Sequence, residues 1–122
     1  MKIRIKGNSV RIRVTKSEVT RFTEEGRLEE RTEFGDAVLT YALQCSDKYE
    51  NPSADFKSNV VTVYVPTRVK KEWVETDQVG FKHKMDLGND KTLSILVEKD
   101  FVCLDHTDED QSDNFPNPNR TC

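Results

Sequence analysis

Val10-Arg11-Ile12-Arg13-Val14-Thr15-Lys16-Ser17-Glu18-Val19 changes its period at Thr15. Val10, Ile12 and Val14 alternate with arginines, the pattern of a strand with one buried face. Thr15-Lys16-Ser17-Glu18 then has capping-box spacing, in which a threonine hydroxyl and a glutamate carboxylate satisfy orphan amides at a helix start. Val19 and Phe22 supply the apolar side of a short helix, and Gly26 is placed to end it in a left-handed turn. Upstream, Ile3 and Ile5 alternate with Lys2, Arg4 and Lys6, so that Gly7-Asn8-Ser9 becomes the turn of a hairpin. Downstream, residues 27–34 and 37–45 read as two strands around Gly35-Asp36, with Leu39, Tyr41 and Leu43 on one face of the second.

The same order returns after the loop containing Asn51-Pro52 and a short extended piece at Phe56. Val10, Ile12, Val14, Phe22 and Leu28 recur fifty-one positions later as Val61, Val63, Val65, Trp73 and Val79, and Thr15 is matched by the helix-opening Pro66. Past the next turn the offset becomes fifty-four, carrying Leu39, Tyr41 and Leu43 to Leu93, Ile95 and Val97. A three-residue insertion in a turn accounts for the change. The expectation is one α+β domain over residues 1–104, made of two pseudo-repeated β-α-β-β halves at about 9–47 and 59–100. They would form a mostly antiparallel sheet or a small barrel with two short helices. Each half alone exposes an apolar sheet face, and burying those faces against each other is the physical gain.

Composition bounds the rest. A chain of 122 residues with 34% hydrophobic and 34% charged residues builds an economical core from alternating segments and has no apolar run long enough for a membrane span. Residues 1–6 lack the apolar stretch of a secretory signal, and the odd, dispersed cysteines Cys45, Cys103 and Cys122 suit free thiols, so a cytoplasmic location is expected. Residues 105–122 are polar, acidic and contain Phe115-Pro116-Asn117-Pro118, the composition of a flexible tail that orders only by docking.

The unit Val61 to Val97 resembles the AbrB-type swapped-hairpin unit. In that group two units interlock to close a small barrel, which implies a pseudo-two-fold barrel here. Met1 to Ser9, Val97-Glu98-Lys99-Asp100-Phe101 and Phe115-Pro116-Asn117-Pro118 carry a second resemblance, to a family of small bacterial proteins of unknown function. It covers nearly the whole chain, and it implies a free-standing cytosolic protein without implying an activity.

Charge is unevenly spread although the net charge is only −3. Lys2, Arg4, Lys6, Arg11 and Arg13 alternate with the apolar residues of the first hairpin, so they share its solvent face as a stripe that meets phosphates or keeps the sheet edge soluble. The acidic C-terminal residues would neutralise that stripe if Phe101, Leu104 or Phe115 anchored them, since exposed ion pairs contribute little. Cys103 and His106 provide two ligands where a structural zinc site needs four, no glycine-rich phosphate loop is present, and no cofactor is expected. His83, in phase with Val79, Phe81 and Met85, faces the core or a barrel mouth, and Trp73 is a core anchor.

Two functions of different class fit these residues. One is a non-catalytic binding or regulatory domain for a macromolecule or anionic ligand, with a protein or nucleic-acid partner, no membrane, and a monomeric or homodimeric state. The other is a small-ligand protein or enzyme with a cleft where His83 meets Glu30 or Glu33. A flat positive stripe distinguishes the first, a concave pocket holding His83 and acids the second.

Overall fold

The change of period at Thr15 is a helix start. In the computed structural model, which describes residues 1–101 and 113–116, strands β1 (Lys2–Ile5) and β2 (Ser9–Val14) lead into helix α1 (Lys16–Glu25). Glu18 Oε1 accepts the Thr15 backbone N–H at 2.9 Å and the Thr15 hydroxyl at 3.1 Å. Its other oxygen, Oε2, accepts from the Met1 ammonium group. Burial alone would raise the Glu18 carboxyl; the Met1 ammonium and the Thr15 donors outweigh it and hold the group below its ordinary value. Gly26, at φ 74°, donates its N–H to the Phe22 carbonyl at 2.8 Å and turns the chain in one residue into β3 (Arg27–Glu33).

The hairpin continues with β4 (Val38–Cys45), and a second series follows: β5 (Ser53–Lys57), β6 (Val60–Val65), α2 (Thr67–Glu75), β7 (Gly80–Gly88) and β8 (Lys91–Lys99). The short extended piece at Phe56 is the edge strand β5, paired antiparallel with β6. At the start of α2, Pro66 brings no side-chain cap, and Asp47 replaces it by accepting the Thr67 N–H at 2.8 Å and the Thr67 hydroxyl at 2.7 Å. Those Thr67 bonds pull the Asp47 carboxyl below its ordinary range.

The strands form two four-stranded mixed sheets, β1-β2-β8-β7 and β3-β4-β6-β5. Within each, two antiparallel hairpins meet along one parallel pairing, β2 with β8 in the first and β4 with β6 in the second. Exchanging β1–β4 for β5–β8 converts one strand order into the other. The sheets do not close into a barrel; the helix side chains Val19, Phe22, Val69 and Trp73 join strand residues of both sheets in one buried core. Phe22 and Trp73, both 0% exposed, meet edge to face at 6.4 Å between ring centroids, and Trp73 meets Phe81 at 5.3 Å. Val14 and Val65 are fully buried in the same cluster.

One pair in the fifty-one-residue offset is corrected. Leu28 is 2% exposed but Val79 is 43% exposed, and the buried position on β7 is Phe81, paired with Val97 as Leu28 is with Leu43. The physical reason lies at the helix ends. Gly26 alone joins α1 to β3, whereas residues 76–79 join α2 to β7, and Val79 spends its carbonyl on the Trp73 indole N–H at 3.2 Å.

Of the segment read as an acidic tail, residues 113–116 lie against the domain. Asp113 accepts the Ser17 hydroxyl at 2.6 Å, Phe115 donates its N–H to the Asp100 carbonyl at 2.9 Å, and the Phe115 ring packs 5.7 Å from Phe101. The remainder of that segment, His106 and Cys122 included, falls outside the described residues, as do Cys103 and Leu104 before it. Among the described residues no helix is long and apolar enough to cross a membrane.

Two stability predictions follow from these contacts. Trp73→Ala removes the ring that joins α2 to Phe22 and Phe81, and urea denaturation is expected to show a loss of about 3 to 5 kcal/mol. Glu18→Ala strands the buried donors at the start of α1, at a cost of about 1 to 3 kcal/mol near neutral pH. Because the folded Glu18 carboxyl sits below its ordinary value of 4.5, its stabilisation is full above that pH and disappears as pH falls through the folded value. The gap between wild type and Glu18→Ala is therefore expected to close in acid, read by denaturation at pH 7 and pH 3.

Candidate functional site

Successive residues of a strand point to opposite faces, so the register of the first sheet decides which side chains share its outer surface. Val10, Ile12, Val14, Ile95 and Val97 face the core. The alternate phase then lies outside, in three rows that cross the sheet. Lys2, Arg13, Glu98 and Gly80 make one row; Arg4, Arg11, Leu96 and Lys82 the next; Ser9, Ser94 and Lys84 the third. Lys6 continues the phase beyond β1, its N–H donated to the Ser9 carbonyl at 3.2 Å.

The outer positions of these four strands carry six cations, Lys2, Arg4, Arg11, Arg13, Lys82 and Lys84, against two carboxylates, Asp86 and Glu98, a net of +4. The outer positions of the other sheet are balanced, with Arg27, Arg31 and Lys57 against Glu29, Glu33 and Asp55. Two of those cations are paired in place, Arg27 with Glu29 at 3.2 Å and Lys57 with Asp55 at 3.7 Å. A net-negative chain thus concentrates positive charge on one of its two sheets.

Neutralisation on the positive face is local. Glu98 Oε1 lies 2.7 Å from Arg13 Nε and 3.8 Å from Arg11 Nε, and Lys2 Nζ lies 3.4 Å from Asp100. Arg4, Lys82 and Lys84 make no ion pair with the described residues. Asp86 turns back on its own hairpin and accepts the Gly88 N–H at 2.8 Å. Gly80 completes the row beside Glu98 without a side chain; a Cβ there would stand 2.4 Å from the Val97 carbonyl oxygen, so the bare backbone is what lets β7 close on β8.

Over β2, β8 and β7 the face is hollowed into a groove of about 520 Å³. Ser94 and Leu96 form its floor, Arg11 stands on one side, and Lys82 and Lys84 on the other. A smaller hollow of about 220 Å³ lies between Lys2, Arg4, Arg11 and Arg13. The structure therefore brings Lys2, Arg4, Arg11 and Arg13 onto one surface and adds Lys82 and Lys84, which the sequence reading passed over. Their signal was present: Lys82 and Lys84 occupy the opposite phase of a strand whose inner phase holds Phe81 and Met85. Nothing local says that this strand joins the sheet of the first hairpin.

His83 is among the residues that line the groove, and Glu30 and Glu33 are not. His83 is half-buried opposite Ile95, and no carboxylate hydrogen-bonds it among the described residues. Glu30 instead lies 3.5 Å from the Met1 ammonium group, and Glu33 is exposed at the end of the β3–β4 hairpin. The charges of Glu30 and Glu18 and, above all, burial push the Tyr41 hydroxyl above its ordinary value, and that hydroxyl donates to the Met1 carbonyl at 3.3 Å. Cys45 is a free thiol 3.7 Å from the Thr67 hydroxyl, and among the described residues no group of three His, Cys, Asp or Glu could hold a metal ion.

No curated protein and no solved structure matches the chain. A family model matches residues 1–119, which include both sheets, both helices and the docked Asp113–Pro116 segment, and the chain belongs to that family, a family of unknown function, DUF7009.

Proposed function

We propose that the chain is a non-catalytic binding domain that holds nucleic acid by its phosphates on the outer face of β1-β2-β8-β7. The observation that carries this reading is the net of +4 on that face of a chain whose net charge is −3. Such a field concentrates and steers a polyanion while the rest of the surface repels it. None of the outward positions on the four strands holds an aromatic ring, so the face offers phosphate contacts without stacking platforms for bases. Binding of this kind is insensitive to sequence.

The same reading takes the two halves as copies of one unit interlocked about a pseudo-two-fold, in the manner of AbrB-type swapped hairpins. The exchange of β1–β4 for β5–β8 in the strand orders supports it, as do the buried pairs Val14 and Val65, and Phe22 and Trp73.

With four to six phosphates engaged, log Kd against log salt for a duplex is expected to have a slope of about 4 to 5, a loss of two to three decades between 50 and 200 mM. Fluorescence anisotropy with labelled duplex measures this. Lys82→Glu with Lys84→Glu should lower the affinity at least tenfold while leaving the thermal melt within a few degrees. Absence of binding even at 50 mM salt would overturn the proposal.

A further inference from the structure

The cations of the face are not equivalent, and the groove is where they remain unsatisfied. Glu98 holds Arg13 at 2.7 Å and draws Arg11 from 3.8 Å, so the row containing Lys2, Arg13 and Glu98 is largely neutralised from within. One row away, Lys82 flanks Leu96; two rows away, Lys84 flanks Ser94; neither lysine has an ion-pair partner among the described residues. Between them the Ser94 side chain makes no hydrogen bond with the described residues, while Ser9, its neighbour across the parallel pairing, gives its hydroxyl to the Lys6 carbonyl at 2.6 Å. Two strand spacings separate Arg11 from Lys82, about 10 Å between backbones, and long basic side chains reach inward from both sides of that gap.

We infer that this groove is a phosphate seat, in which the Ser94 hydroxyl and the Lys82 and Lys84 ammonium groups hold the oxygens of one phosphate ester and Arg11 closes the opposite wall. A phosphate has a tetrahedron of acceptors, and hydroxyl and ammonium donors converging from a floor and one wall suit it better than they suit a planar carboxylate, for which a forked guanidinium is the better match. Leu96 supplies an apolar floor for the carbon side of the ester. The inference deepens the nucleic-acid reading and rests on it: the seat is the point of closest grip, and Arg4 tracks a neighbouring phosphate.

The shared chemistry is the phosphate ester, and its source is separated by the arms of one experiment. The full-length protein, labelled with nitrogen-15, is titrated with inorganic phosphate, with a short oligonucleotide bearing a 5′-phosphate, and with the same oligonucleotide bearing a 5′-hydroxyl, at constant ionic strength set by chloride. The expected result is saturable amide shifts centred on Lys84, Ser94 and Leu96 in all three arms. A preference for the 5′-phosphate marks a terminal ester, and equal affinity of the two oligonucleotides marks an internal diester. Ser94→Ala is expected to weaken phosphate about three- to tenfold, Ser94→Thr to restore it, and Lys84→Gln to weaken it about tenfold or more. Each variant sits on the solvent face, and its thermal melt is expected to match wild type. Shifts that centre on Lys2, Arg4 and Arg13, or a Lys84→Gln variant with unchanged affinity, would overturn the seat while leaving the cationic face as a nucleic-acid surface. No binding of oligonucleotide in any arm would overturn both.

Discussion

Two parallel pairings hold this molecule together. β2 lies beside β8 from Ser9 with Ser94 to Val14 with Lys99, and β4 lies beside β6 from Thr40 with Val60 to Cys45 with Val65. Among the described residues, every other pairing between these strands is a hairpin between neighbours in sequence. Without the parallel seams there would be four hairpins, each marginal in water. With them, each sheet draws one hairpin from either half of the chain, so neither half has a complete sheet of its own. Each helix carries the chain from one sheet to the other, and Phe22 and Trp73, one from each, touch in the buried core.

That seam also makes the candidate site. Arg11 and Lys82 lie seventy-one residues apart in sequence and share a row only because β8 sits between their strands. Backbone ladders then keep the cations at fixed spacing, some 7 Å along a strand and 5 Å between strands. Like charges at such distances repel, and Glu98 relieves part of that cost at Arg11 and Arg13 but not at Lys82 or Lys84. A surface that retains unrelieved repulsion on a rigid support gains free energy when an anion arrives, and little ordering entropy opposes that gain. The balanced outer face of the second sheet shows the contrast, with its ion pairs closed internally at Arg27 and Lys57.

The docked residues Asp113 and Phe115 tie a distant part of the chain to the same framework. Phe115 covers the end of β8 beside Phe101, and the Lys99 ammonium lies 5.4 Å from the centre of its ring. Lys99 is itself buried, which lowers its proton affinity against the opposing charge of Asp77, and it donates to the Thr76 carbonyl at 2.9 Å. A cation in the phase of Ile95 and Val97 is thus accounted for by a carbonyl, an aromatic face and a nearby carboxylate.

Local order was legible because it depends on neighbours. The alternation from Val10 to Val14, the Glu18 clasp at Thr15, the left-handed Gly26 and the apolar phase of Ile95 and Val97 each follow from period, capping and steric rules acting over a few residues. The same rules placed Lys2, Arg4, Arg11 and Arg13 on one face of a hairpin. Periodicity was less informative where a connection changed length: it matched Leu28 to Val79, because a shift of two residues preserves strand phase and both residues are apolar. Only the tertiary structure decided that the sheets stay open, that Glu30 lies beside the Met1 ammonium group, and that Lys82 and Lys84 complete the basic face. Those outcomes turn on which strands become neighbours across long stretches of chain, and pairing of that kind is selected by burial of the whole core, a sum over residues that no short window of sequence contains.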